Sequence, residues 1–235
     1  MIPKGLFITS TGTRLGKTFV TRGIARALRI RGINVAAIKP IETGCGPMPL
    51  DALAVATACG QPDLGRAEGL YRAGPALSPY AASLVTDTPP ADIGALTARI
   101  QELSDQYDVV LVEGAGGLLV PIDRHRTVAD LAASLGLALL VVTRDQLGVI
   151  SHTLTLFESA TARGLRIAGL VLVSHEPDES SYGPGSNLQV LAELVSVPVL
   201  GLGFCEDDDD RLARAVQEAG LLGLLHKPFR SPLPV

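Results

Sequence analysis

The chain has 235 residues, 47% of them hydrophobic, with 25 glycines and a formal net charge of −4. That apolar content supports a full hydrophobic core in one α/β domain and excludes a disordered chain, and the acidic balance offers no basic face for nucleic acid. Three widely spaced cysteines (Cys45, Cys59, Cys205) with no Cys-x-x-Cys pair speak against a disulfide framework or structural zinc, and for a reducing cytosol. No signal-peptide pattern opens the sequence and no apolar run is long enough to span a bilayer, so a cytoplasmic location is expected. Sixteen arginines stand against four lysines: Lys4, Lys17, Lys39 and Lys227. A bias towards arginine leaves lysine where a compact ammonium is needed, and Lys17 and Lys39 fall in the motifs below.

The apolar run Gly5-Leu6-Phe7-Ile8 reads as a buried strand, and Phe19 to Ile30 reads as an amphipathic helix. Between them lies Thr-Ser-Thr-Gly-Thr-Arg-Leu-Gly-Lys-Thr, residues 9–18. A strand, a glycine loop, Gly-Lys-Thr and a helix form the context of a phosphate-binding loop. Such a loop turns its backbone N–H groups inward, and the helix N-terminus adds a dipole that favours an anion. Lys17 then reaches the β- and γ-phosphates, and the Thr18 hydroxyl sits on Mg²⁺. The usual pattern places its first glycine at the position of Thr11; here the glycine is displaced to Gly12.

The helix stops near Arg31-Gly32, and Asn34 to Lys39 is the second strand. Ligands of an open parallel sheet bind at the carboxyl ends of strands, so Lys39 and Thr43 fall on the same rim as the phosphate loop. The alternative is a solvated lysine at a strand end. Gly46 to Pro49 is a turn-rich linker before a short helix starting at Asp51, which reads either as a helix cap or as a carboxylate aimed at Mg²⁺. Ser78-Pro79 opens another helix, and Asp92 to Gln106 is amphipathic.

Tyr107 to Glu113 contains four successive apolar residues, the pattern of a central parallel strand buried on both faces. It ends in Glu113, placed opposite the phosphate loop as a partner for Mg²⁺, and then in Gly114-Ala115-Gly116-Gly117. Beyond it come a helix over 127–135, a strand over 137–143 and a helix from Leu147 to Gly164 whose start could bind an anion. A strand at 167–173, a helix at 184–195, a strand at 198–202 and a helix at 211–220 complete the chain. The acidic run Glu206 to Asp210 reads as a solvated helix N-terminus. The alternation implies one doubly wound, mostly parallel sheet spanning residues 1–235 as a single P-loop domain.

At this point the sequence resembles the ATP-dependent dethiobiotin synthetases of biotin biosynthesis. The resemblance rests on residues 11–18, Lys-Pro-Ile-Glu-Thr-Gly (39–44), Asp-Ala-Leu (51–53), Val-Glu-Gly-Ala-Gly-Gly-Leu-Leu-Val-Pro (112–121), residues 143–153 and Pro-Val-Leu-Gly (198–201). It implies a homodimeric, Mg²⁺- and ATP-dependent ligase that closes a cyclic urea from CO₂ and 7,8-diaminononanoate. By the same resemblance Lys17 and Lys39 are catalytic, and Thr18, Asp51 and Glu113 hold the metal. The nucleotide is held by Thr13, Arg14, Leu15, Gly16, Lys17, Thr18, Phe19, Asp51, Glu113, Gly114, Ala115 and Gly116, with Val173, Ser174, Leu202, Gly203 and Phe204 at the base. The diamine meets Thr13, Lys39 and Thr43, and its carboxylate meets Gly148, Val149, Ile150 and Ser151 of the partner subunit. Relatives often carry glycine at Ser10, aspartate at Gly12, an acidic residue at Arg14 and asparagine at Val173 and Ser151.

Two rivals share the loop. Partitioning and positioning ATPases carry a second lysine where this chain has Gly12, and synthetase domains of cobyrinate amidases normally carry an additional glutaminase domain.

Overall fold

Alternating apolar strands and amphipathic helices bury their faces together when the strands run parallel and helices cover both sides. The computed structural model, which describes residues 4–174 and 186–225, has this arrangement. The chain begins with β1 (Lys4–Ser10), α1 (Lys17–Ile30), β2 (Val35–Ile38), β3 (Ile41–Thr43), α2 (Leu50–Ala58) and the single turn α3 (Pro62–Gly65). It continues through β4 (Tyr71–Ala73), α4 (Pro79–Val85), α5 (Ile93–Ser104), β5 (Val109–Glu113), α6 (Val128–Leu135), β6 (Ala138–Arg144) and α7 (Val149–Ala162). Then follow β7 (Ile167–Val173), α8 (Ser186–Leu194), β8 (Val199–Leu202), α9 (Asp209–Glu218) and a 3₁₀ turn at Leu221–Leu225.

Six strands form one sheet in the order β2-β5-β1-β6-β7-β8, with every neighbouring pair parallel. All residues of β5 and β7 are buried, as their unbroken apolar runs require. β1 sits centrally. The chain leaves it towards β2 on one side and later reaches β6 on the other, so the crevice of the topological switch opens at the carboxyl ends of β1 and β5. Register pairs Ile8 with Glu113 and Ser10 with Val142, which brings the phosphate loop and the Glu113 loop side by side.

A two-stranded parallel sheet of β3 and β4 stands apart from the main sheet and carries no local signature at three residues per strand. The expected strand at 34–39 ends at Ile38, because Pro40 lacks the N–H a ladder needs and the chain turns out into β3. The expected helix from Pro184 is described from Ser186 onward; Pro184 itself and Lys227 lie outside the described residues.

Two expectations are corrected here. Asp51 is not a helix cap: the N-cap of α2 is Pro49, and the backbone N–H groups of Asp51 and Ala52 donate to Glu42 Oε1 (3.1 Å) and Oε2 (2.9 Å). The acidic run is more than a solvated helix start. Asp208 caps α9, while Asp207 and Asp209 clasp Arg22 and Asp210 pairs with Arg26, both on α1. These contacts fasten α9 to the helix that follows the phosphate loop.

The α1–α9 packing is close because Gly23 has no side chain. A Cβ there would lie 2.7 Å from Val216 Cγ2 and 3.2 Å from Leu212 O. Gly23→Ala is therefore expected to cost about 1–3 kcal/mol of stability as overpacking, read as a melting temperature lowered by several degrees. An unchanged or higher melting temperature would show that the two helices separate freely.

Candidate active site

The phosphate loop runs from the buried end of β1 to α1 through two left-handed residues, Arg14 (φ 60°) and Gly16 (φ 97°). Gly16 is the N-cap of α1 and no side chain among the described residues caps the helix, so its first-turn N–H groups are open to a ligand's oxygens. The positive φ favours glycine, and the floor beneath is tight: a Cβ at Gly16 would lie 3.3 Å from Val173 Cγ2. The glycine loop after β5 packs directly against this loop. A Cβ at Gly117 would lie 3.2 Å from Ser10 O, and one at Gly116 would lie 3.4 Å from Thr13 Oγ1.

Lys17 is buried, and its Nζ donates to Ser10 Oγ (2.9 Å) and Gly12 O (3.1 Å). Burial disfavours the ammonium and lowers its pKa from 10.5 to about 8, with Glu113 working against the shift. Across the crevice, Lys39 is only 8% exposed, which disposes of the solvated-lysine alternative. Its Nζ donates to Asp51 Oδ2 and to Glu113 Oε1 (3.0 Å), bridging a helix and a strand end. Burial alone would lower the Lys39 pKa, but the charges of Glu113 and Asp51 outweigh it and hold the pKa above the ordinary lysine value.

Glu113 is fully buried. Its Oε1 also accepts from Thr18 Oγ1 at 2.7 Å, while Oε2 is buried with no hydrogen-bond partner among the described residues. A buried carboxylate oxygen without a partner is expensive unless something arrives to use it. Asp51 and Glu113 thus share the Lys39 ammonium, Thr18 bonds Glu113 directly, and the oxygens of all three are the hard donors Mg²⁺ prefers. No cluster of three or more His, Cys, Asp or Glu able to hold a metal exists among the described residues. A Mg²⁺ held here would complete its shell with phosphate and water oxygens, the usual habit of that ion.

A cavity of about 1070 Å³ runs from the loop past Lys39 to an apolar wall. Of the expected residues, Thr13 to Phe19, Lys39, Thr43, Asp51, Ala115 and Gly116 line it, and Glu113 and Gly114 lie buried behind it. Val173, Ser174, Leu202, Gly203 and Phe204 are not among its lining residues. Val173 is buried under Gly16, so its side chain forms loop floor, and Leu202 is buried; Gly203 and Phe204 are exposed. Gly148 caps α7 at φ 89°, with Val149 buried and Ser151 exposed, and this helix start also lies outside the cavity of its own chain.

Sequence reasoning missed Ser10, Glu42, the Arg22–Asp207 rim and the apolar wall of Met48, Leu50 and Leu77. A glutamate between Ile41 and Thr43 at a strand end was a legible hint of a buried carboxylate. Ser10, one residue past an apolar strand, carried a fainter one.

A parallel sheet with a phosphate loop at its switch point, a buried lysine and a strand-end carboxylate defines a P-loop nucleotide-binding domain. Residues 4–202 match the family described as AAA domain. Among solved structures, the septum site-determining protein MinD complexed with Mg-ADP from Pyrococcus horikoshii OT3 aligns with a TM-score of 0.53 at 19% identity, over 94% of this chain and 93% of that one. The Aquifex aeolicus MinC:MinD complex aligns with a TM-score of 0.54 at 16% identity, covering 90% and 86%. At such identities the likeness is one of fold. In sequence, the chain is 36% identical over 211 residues to the ATP-dependent dethiobiotin synthetase BioD of Thermodesulfovibrio yellowstonii, covering 84% of this chain and 87% of that protein. It is also 36% identical over 214 residues to the protein of the same name from Anaeromyxobacter dehalogenans strain 2CP-1, covering 91% and 95%. The chain belongs to the ATP-dependent dethiobiotin synthetase family.

Proposed function

We propose that this chain, acting as one P-loop domain per subunit, is an ATP-dependent ligase that forms dethiobiotin from 7,8-diaminononanoate and CO₂. The observation that carries the reading is Lys39: a buried ammonium spanning Asp51 and Glu113, beside a phosphate loop and at the head of a cavity with an apolar far wall. One amine of the diamine adds to CO₂ and loses a proton, giving a carbamate. A carbamate oxygen attacks the γ-phosphorus and ADP leaves; the second amine then attacks the carbonyl carbon, phosphate leaves and the ring is closed.

Most of this chemistry is positioning and charge neutralisation. Lys17 would hold the phosphates and the carbamate, and Lys39 the charge developing between carbamate and phosphoryl group. Mg²⁺, held through Thr18, Asp51 and Glu113, would supply charge neutralisation on the phosphates. Thr13 and Thr43 would orient the diamine, with its alkyl chain along Met48, Leu50 and Leu77. The substrate carboxylate would meet the α7 start, Gly148 to Ser151, of a second subunit; that this start lies off the cavity of its own chain supports a homodimer. A cytoplasmic location agrees with three free cysteines, and no helix among the described residues is long and apolar enough to cross a membrane.

ADP release from Mg-ATP, followed with the diamine and bicarbonate added singly and together, tests the proposal. Release is expected only with both present, with dethiobiotin among the products. Equal release with neither would indicate a nucleotide switch instead.

A further inference from the structure

Ser10 ends β1 and is fully buried, yet its hydroxyl contacts two different loops. The Oγ accepts from Lys17 Nζ at 2.9 Å and from Gly12 N at 3.4 Å. Its single proton faces two carbonyls, Gly12 O in the phosphate loop and Gly116 O (3.1 Å) in the loop after β5. A hydroxyl can accept two hydrogen bonds and donate one, so this site uses its full capacity. The Lys17 ammonium in turn has three donors, of which Ser10 and Gly12 take two and leave one for a ligand.

We infer that Ser10 is a positioning residue for nucleotide binding: a latch that holds the Lys17 ammonium and ties the phosphate loop to the Gly114–Gly117 loop before ATP arrives. Without it, a buried ammonium would keep one backbone acceptor and the two loops would lose their side-chain link. Lys17 would then sample other rotamers, and ordering it would fall to the nucleotide. This inference rests on the assignment of Lys17 to the phosphates.

The test is a double-mutant cycle on affinity for a fluorescent ADP analogue, using Ser10→Ala, Lys17→Ala and the double variant. Ser10→Ala is expected to weaken binding about tenfold, the worth of one hydrogen bond to a charged group. The same substitution made in Lys17→Ala is expected to add little, because the ammonium is gone and only the tie to Gly12 O and Gly116 O remains to be lost. Ser10→Cys keeps the volume with a weakly accepting thiol and is expected to behave like alanine, which guards against a packing artefact. Wild-type affinity in a folded Ser10→Ala protein, with Lys17→Ala defective, would overturn the latch alone, as would losses that simply multiply. If Lys17→Ala itself binds normally, the phosphate-loop assignment falls with it.

Discussion

Lys39→Ala is expected to abolish dethiobiotin formation while leaving nucleotide binding largely intact. Loss of a donor aimed at developing charge typically costs about 10²–10³ in turnover. Here the cost is expected to reach the upper end, since Lys39 is also the counter-ion that orders Asp51 and the fully buried Glu113. Its removal leaves a buried carboxylate uncompensated, a change worth about 3–5 kcal/mol of stability. The variant should therefore melt earlier than wild type and recover part of the loss with Mg-ADP. Single-turnover formation of dethiobiotin, alongside nucleotide titration, checks this; wild-type turnover would remove Lys39 from the chemistry.

Glu113→Gln carries the second large effect. The amide keeps the size of the carboxylate but cancels a charge that meets Thr18 at 2.7 Å and Lys39 at 3.0 Å. It also turns one of the two oxygens into a donor, so the site is less suited to a hydrated Mg²⁺. Groups that orient a metal's surroundings typically contribute about 10–100-fold to its affinity. The Mg²⁺ concentration for half-maximal activity should rise by that order, with a smaller effect on the diamine KM. An unchanged Mg²⁺ titration would take Glu113 out of the metal site.

The parts of this molecule that could be read from the sequence are those encoded locally. Val109 to Val112 and Ile167 to Val173 announce buried strands by their unbroken apolar character, and Gly-Lys-Thr after a strand announces the loop. Lys39 and Glu113 were placed on one rim because strand ends in a parallel sheet share a rim. Their direct pairing was not legible, because it depends on β2 and β5 being neighbours. The same holds for Arg22 and Asp207, which meet although 185 residues separate them. Glu42 was missed for a related reason: its carboxylate meets the start of a helix eight residues later, and Asp51 looked like the cap because it stood at the right place in the chain. Val173, assigned by resemblance to the base, is carried by β7 under Gly16, where a short apolar side chain fits the loop floor; that packing depends on tertiary contact and was not legible in the sequence.

Ser10 and Gly12 together give the phosphate loop a different internal wiring from one built on glycine and aspartate. Gly12 contributes a carbonyl to Lys17 and no side-chain charge, and Ser10 contributes the hydroxyl. Arg14, left-handed and exposed at the cavity rim, adds a positive charge where the proposed function would place the phosphates. The loop is thus ordered from beneath by Ser10 and made more cationic from above.

Ring closure by the proposed route requires that one oxygen of CO₂ be phosphorylated before the second amine attacks. The most direct measurement is a single turnover with bicarbonate labelled with ¹³C and ¹⁸O, supplied with unlabelled ATP and the diamine. The expected result is ¹³C in the ureido carbon of dethiobiotin and ¹⁸O transferred from bicarbonate into the released phosphate. Phosphate free of ¹⁸O, or ADP formed without ¹³C in a cyclic product, would contradict the account.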